Sequence, residues 1–559
     1  MKTMQSGERP RLSAMSGALL AACACGLFQV QPALAVEFET GSPDLKIRWD
    51  NTFKYTAAAR LNEQSQKLIN SPPISNNQDD GDRNFNRGLV SNRLDIFTEF
   101  DLSYQDAGLR VTGAGWYDQV YNQANDGNSP RSFNGYTTPY NRFSTAARVA
   151  HGRNAELLDA FVFGKADLGG MPLTFRAGNY SLLWGESLFF GNNGISGTQA
   201  ALDIVRLTSV PNSLFKEVVL PDTQVSAQLA LNSELSLGAY YKFSWRPNRF
   251  PVAGSYFAST DVIAGAERFF VGAPGANGTS PYLVRRTDLE AEGSGQGGLQ
   301  LKWHPGEYDV GFYAIRFNDR NPSIYRYEGA NANPSVGRVG EYNLAYNEHA
   351  KTFGISASRS FGDVVLSGEM STRRDTQLLS DAQSIPAGTI ANNNAPKYGV
   401  GNTAHVNLNW LWTLPPNAIA GESVLLGELA WNRRLSVKLN PNALALFSTR
   451  DAWGGRVSYT PTYRQALSGL DLSVPFSISY FPKGKSSAVA GFGVDKGGDM
   501  SLGIEATYLD TWRASLSATH FYGPENTFLT ASPKGGATFS LQQSLKDRDF
   551  IALSIRRTF

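Results

Sequence analysis

Cysteine is nearly missing from this chain. Among 559 residues only Cys23 and Cys25 occur, both close to the N-terminus. Once a leader is removed none remain, which excludes disulfides, zinc–thiolate sites and cysteine nucleophiles. Histidine is scarce too. His151, His304, His349, His405 and His520 are the full set, and no two lie at metal-ligand spacing. Beyond the first 35 residues no apolar run approaches the roughly 20 residues a membrane helix needs. Neither sign of charge is in excess. The chain holds 51 Lys+Arg and 49 Asp+Glu; the leader takes Lys2, Arg9, Arg11 and Glu8, leaving 48 of each. No basic face is implied, which argues against nucleic acid as a partner. Zero balance also gives no ground for a cation or an anion channel. Nothing asks for a cofactor or a metal.

What is present begins with an export signal. A basic start precedes the apolar, uncharged stretch from Leu12 to Val30, and Gln-Pro-Ala33-Leu34-Ala35 offers a small-x-small cleavage site. This reads as a signal peptide, residues 1–35. A rival processing site exists at Leu20-Ala21-Ala22-Cys23, where Cys23 would be acylated.

The 524 residues that follow Ala35 (559 less 35) alternate apolar and polar in short segments. Leu94, Ile96, Phe100, Leu102 and Tyr104 share one face of a strand; Arg93, Asp95, Glu99 and Asp101 share the other. Four charges cannot face hydrocarbon, and five large apolar groups gain by leaving water. Leu502, Ile504, Ala506 and Tyr508 oppose Ser501, Glu505 and Thr507, and Trp512, Ala514, Leu516 and Ala518 oppose Arg513, Ser515, Ser517 and Thr519. The chain ends the same way. Ile551, Leu553, Ile555 and Phe559 alternate with Ala552, Ser554, Arg556 and Thr558, although Arg557 stands where an aromatic is usual. A terminal aromatic on such a strand resembles the closing strand that the barrel-insertion machinery reads, with Phe559 as its last residue.

Connectors alternate as well. Tight turns fall at 105–107, 168–171, 232–233, 304–306, 362 and 510–511; long stretches separate them at 121–152, 185–223, 246–295, 320–349, 375–403 and 523–546. Bacterial outer-membrane barrels pair short periplasmic turns with long outer loops. The expected fold is all-β: one transmembrane antiparallel β-barrel of about eighteen strands (16–18) over residues 36–559, from a first strand near Leu45–Ala59 to a last near Asp547–Phe559. The regions from Leu414 to Gly421 and around Pro461 leave the count open by two.

One long stretch is unusual. From Gln199 to Pro221, Leu202, Val205, Val210, Leu214 and Val218 recur at three- to five-residue spacing, and Pro211 breaks the run. That is closer to a helix than a strand. The segment 185–223 is expected either to fold into the lumen or over the mouth, or to pack outside on neighbouring loops.

Trp184-Gly-Glu-Ser-Leu-Phe-Phe190, Ala201-Leu-Asp-Ile-Val-Arg206 and Lys216-Glu-Val-Val-Leu-Pro221, with Gly81-Asp-Arg-Asn-Phe85 and Ser91-Asn-Arg-Leu-Asp95, resemble the Gram-negative outer-membrane proteins grouped as domain of unknown function 1302. The likeness runs from about Phe38 to Phe559. It implies a barrel, and it implies association with hydrophobic compounds and with inner-membrane exporters.

Chemistry is sparse. His520 near Ser517 would be needed for a membrane hydrolase, and a polar strand end accounts for it better. The acidic run from Asn76 to Asp82 lacks the calcium-loop register, since no Glu stands six residues after Gly81; a solvated outer loop is the default. The wet face offers Arg93, Asp95, Glu99, Arg110, Asp159, Lys165, Glu369 and Arg373, which would either pair across strands and fill the interior or line a path. Trp184, Glu186, Asp203, Arg206, Lys216 and Glu217 lie in or near the unusual segment and are the expected constriction. The leading expectation is therefore a porin-like outer-membrane channel, not an enzyme, passing small or hydrophobic solutes. The alternative is a non-transporting barrel acting as receptor, adhesin or scaffold.

Overall fold

The computed structural model describes residues 36–38, 40–70, 75–211, 213–273, 280–386 and 388–559. Both processing sites lie outside these residues. Eighteen strands close into one antiparallel barrel. They are β1 (Leu45–Arg60), β2 (Gly88–Tyr104), β3 (Ala107–Asp118), β4 (Arg153–Asp167), β5 (Pro172–Tyr180), β6 (Asp222–Ala230), β7 (Leu235–Lys242), β8 (Gln296–Trp303) and β9 (Tyr308–Phe317). There follow β10 (Ala350–Phe361), β11 (Val364–Gln377), β12 (Val400–Leu414), β13 (Glu422–Leu439), β14 (Asp451–Leu467), β15 (Leu470–Ser473 continuing as Phe476–Lys483), β16 (Gly498–Tyr508), β17 (Trp512–Tyr522) and β18 (Phe550–Thr558). Each strand pairs with its neighbour in sequence, and β18 closes on β1 from Thr52↔Thr558 to Arg60↔Phe550. Among the described residues no helix is long and apolar enough to cross a membrane. Both regions that left the count open are settled: 415–421 is a turn, and Pro461 lies within β14 opposite Ser423.

The pleat sorts the side chains. On β1, Asp50, Thr52, Lys54, Thr56 and Arg60 are buried, while Trp49 and Phe53 are exposed. On β17 and β18, Leu516 and Leu553 are exposed while Ser515 and Ser554 are buried. Exposed apolar groups so arranged around a closed sheet form a belt that water would penalise and lipid accepts. Aromatics edge it. Trp49, Tyr104, Trp303, Tyr308, Trp412 and Tyr508 are exposed near the short-turn ends; Tyr117, Tyr241 and Trp453 are exposed near the other. Arg557 lies over the rings of Phe559 at 4.2 Å and Trp512 at 4.9 Å, so the residue that broke the terminal pattern covers the girdle with a cation. Antiparallel pairing runs around the whole wall, as a hydrocarbon environment demands, broken by local register shifts such as those at Ala58/Ala59 and Tyr463/Leu467. The barrel spans an outer membrane, with the start of β1 and the end of β18 on the short-turn side.

The long loops fold over the far end. Arg268–Phe270, Tyr282–Arg285, Ser323–Asn333, Arg338–Ala345 and Gln383–Ser384 make a separate five-stranded sheet packed around Phe269, Leu283, Tyr342 and Leu344. A second cluster joins Phe85, Tyr121, Phe143, Tyr256 and Phe257 to Ala58, Val90 and Phe550 of the wall. The acidic run is not a solvated loop. Asp79, Asp80 and Asp82 are buried in this cap, because Arg60 and Arg548 reach Asp82 at 2.9 and 3.2 Å and Asp261 accepts the Asp80 N–H at 3.0 Å. Carboxylate oxygens of Asp79, Asp80 and Asp261 lie within 4.8 Å of one another. Burial and mutual repulsion push Asp79 up to about 6, Asp261 up to about 7, and Asp80 upward too.

Two outcomes follow from this architecture. Leu516→Arg, on the lipid face, should cost about 2–4 kcal/mol, read as a lowered urea midpoint for unfolding from a bilayer; Ser517→Arg, one residue along and facing the lumen, should cost less. The raised carboxyls hold protons in the folded cap that the unfolded chain has released above about pH 4, so cap stability falls as pH rises from about 4 to 7. Proteolytic nicking of the loop at 75–87 should be slower at pH 5 than at pH 8, and Asp261→Asn should flatten that difference.

Candidate functional site

Residues 181–221 join β5 to β6, and this strap runs inside the barrel. Its first half is held by the wall formed by β11, β12 and β13. Glu428 accepts the N–H groups of Leu188 at 3.1 Å, Phe189, and Phe190 at 2.9 Å on one oxygen; the other oxygen accepts from Ser187 Oγ at 3.0 Å and Asn407 Nδ2 at 2.7 Å. Consecutive N–H groups converging on one carboxylate oxygen form an anion nest, here filled by the wall's own side chain. Glu369 accepts from the N–H groups of Glu186 at 2.7 Å and Ile195 at 2.8 Å. Gly185 and Gly194 sit against that carboxylate where any side chain would collide, and Gly185 has φ +106°. Arg373 donates to the carbonyls of Asn192 and Gly194, both at 2.8 Å. Trp184 packs edge-on against Tyr240 at 4.9 Å and lies over Gly298 of β8.

The second half crosses to the wall of β1–β4. It carries two short helices, α1 (Ile204–Ser209) and α2 (Phe215–Val218), separated by Pro211. Asp203 caps α1 by accepting the Arg206 N–H at 2.9 Å. Arg249, from the loop after β7, bridges Asp203 at 2.8 Å and Glu156 of β4 at 2.7 Å. Arg206 lies 4.9 Å from the Trp116 ring of β3 and 3.6 Å from Glu217; Lys54 of β1 is 3.7 Å from Glu217. Lys216 pairs with Glu99 and covers the Phe97 ring at 5.0 Å. Between the halves, Gln199 offers its carbonyl to Lys242 and to Arg320 at 3.2 Å.

These contacts place the residues expected from sequence. Lys216 meets Glu99 on the β2 face that also carries Arg93 and Asp95, which pair at 2.7 Å, while Glu217 meets β1, Arg206 meets β3 and β4, and Asp203 meets Arg249. Trp184, Glu186, Glu369 and Arg373 form a separate group on the opposite wall. Arg110 belongs to neither; it pairs with Asp101 at 2.5 Å, nearer the short-turn ends. Asp159 meets Thr112 on β3, and Lys165 is exposed near the end of β4. Ser517 and His520, three apart on one strand, face opposite sides, and His520 is bonded to Asp549 at 2.6 Å. Sequence reading missed Lys54, Trp116, Glu156, Arg249, Asn407 and Glu428. For His405, Asn407 and Asn409 the signal was there, since they alternate with Val406, Leu408 and Trp410. For Arg249, in an irregular loop, there was none.

Space follows from this arrangement. Above the strap, a cavity of about 60 Å³ is bordered by Asn192, Asp319, Arg320 and Arg373, room for a few waters and too little for a solute. Leu188, Phe189, Leu207 and Phe215 are exposed on the strap although it lies inside the barrel, so they face luminal water. Glu428→Ala should strip the nest of its acceptor. Charge-assisted hydrogen bonds contribute about 1.5–3 kcal/mol each, so amide exchange at Leu188–Phe190 should accelerate by about tenfold or more, as followed by mass spectrometry in detergent.

Comparison with known proteins adds a family. Solved structures with a similar trace include Acinetobacter baumannii OccAB4 (10% identity, TM-score 0.41, covering 92% of this chain and 98% of that one) and OccAB1 (10%, 0.41, 95% and 99%). Pseudomonas aeruginosa OpdK, solved with vanillate, is another (9%, 0.39, 92% and 98%). Likeness this slight carries no argument about the present chain, whose barrel stands on its own strand pairing. No curated protein matches the sequence. The model of a family of proteins of unknown function, DUF1302, matches residues 16–559, and the chain belongs to that family.

Proposed function

We propose that the protein is a passive outer-membrane channel for small solutes, with the strap as its constriction. The observation that carries this reading is a loop turned inward between two neighbouring strands and tied to opposite walls of a closed, polar-lined barrel. It divides the lumen at the level of Glu186, Asp203, Arg206, Glu217 and Glu369. Leu188, Phe189, Leu207 and Phe215, exposed on the strap, support cargo with an apolar part. Lipid is the partner of the outer belt. Phe559, at the end of the closing strand, is the residue offered to the insertion machinery. An inner-membrane exporter as partner rests on the family resemblance alone.

A second reading, a receptor, adhesin or scaffold, draws support from the packed loop cap. One experiment separates the two. Purified protein in planar bilayers should show small single-channel conductance, and deleting residues 199–219 should raise it severalfold. Sealed behaviour from both proteins would remove the channel and leave the scaffold.

A further inference from the structure

Three cations of the barrel wall, Lys54, Arg513 and Arg556, have no hydrogen-bonded carboxylate among the described residues. Lys54 of β1 lies directly opposite Arg556 of β18, and Arg556 directly opposite Arg513 of β17. All three point into the lumen. Like charges in register on adjacent strands repel. Neither Arg513 nor Arg556 makes an ion pair among the described residues. Lys54 Nζ, Arg206 Nη2 and Arg556 Nη1 are buried with no hydrogen-bond partner, although a buried donor left unmatched is costly. The carboxylate shared between Lys54 and Arg206 is Glu217. Glu217, 4% exposed, is 3.7 Å from Lys54 and 3.6 Å from Arg206, beyond hydrogen-bond reach of either. Glu505 of β16 lies near Arg556 and forms no ion pair among the described residues, whereas Arg206 also has Asp203 at 3.6 Å and Glu156 at 4.0 Å.

We propose that Lys54, Arg513 and Arg556 form a binding site for the carboxylate of an amphipathic solute, which Glu217 fills loosely as a tethered substitute. Guanidinium pairs suit a planar carboxylate, which they grip through parallel N–H donors. Arg513 is exposed and marks the approach. Leu207 and Phe215, exposed on the same half of the strap, would meet the apolar body. The anchoring differs between the halves. The first half is held by hydrogen bonds of 2.7–3.1 Å from Glu369, Glu428 and Arg373, whereas α2 has long ionic contacts from Glu217 and one exposed pair from Lys216. A solute carboxylate that takes Lys54 from Glu217 frees α2. The site's place in transport rests on the channel reading; its existence does not.

The test is calorimetric titration of purified full-length protein with benzoate and, as the uncharged probe, benzyl alcohol. Benzoate should bind and benzyl alcohol should not. Glu217→Gln removes the competing charge and should tighten benzoate by about tenfold. Lys54→Met with Arg556→Gln should abolish binding. Should that buried double variant fail to fold, Arg513→Gln, at an exposed position, should still weaken benzoate by about tenfold while keeping the compact barrel's gel mobility. Equal binding of the two probes, or affinity indifferent to both Glu217→Gln and Arg513→Gln, overturns the site. Benzoate binding by a protein that conducts nothing sinks the channel instead and leaves the site standing.

Discussion

In hydrocarbon a peptide N–H or C=O has no water to turn to, and an unmatched one costs several kcal/mol. The rest of this structure depends on that constraint. It forces eighteen strands to close, with β18 on β1 from Thr52↔Thr558 to Arg60↔Phe550. Closure defines an inside. Only inside can a chain carry Lys54, Arg93, Asp95, Glu369 and Glu428 at membrane depth, and only there can an irregular segment such as 181–221 find acceptors for its backbone. The nest at Glu428 answers the same demand that built the wall, with a side chain standing in for a neighbouring strand.

The wall was legible in the sequence because its period is two and its two solvents differ so sharply. Leu502, Ile504 and Tyr508 against Ser501, Glu505 and Thr507 needs no other context, and the alternation of tight and long connectors orients the barrel. The apolar spacing at Val205, Val210 and Val218 marked the strap as something other than a free loop. What the sequence could not show is which strap residue meets which strand. Glu369 lies 174 positions from Ile195, whose N–H it accepts, and Glu428 lies 238 from Phe190. No local pattern records such distances. The cap misled for a related reason: the run at Asp79, Asp80 and Asp82 looks solvated until Arg60 at the end of β1 and Asp261 and Arg548 from far along the chain meet it.

Arg557 and Phe97 mark the limits of a binary reading. Arg557 is a cation on the lipid side, tolerated because its guanidinium lies over Phe559 and Trp512 at the girdle. Phe97 is a large apolar group on the wet side, packed with Ala114 and Leu158 beneath Lys216. Each is a single exception where a neighbouring ring or cation changes the local solvent, and neither disturbs the face it breaks.

The strap also has a mechanical meaning. A cylinder whose strands touch only their two neighbours resists flattening poorly, since bending is spread thinly around its rim. A crossbeam fixed to β11–β13 at one end and leaning on β1–β4 at the other sets the diameter in one direction. Squeezing by the surrounding bilayer would then load the weaker joint first, so the width of the barrel in that direction and the seating of α2 become a single variable.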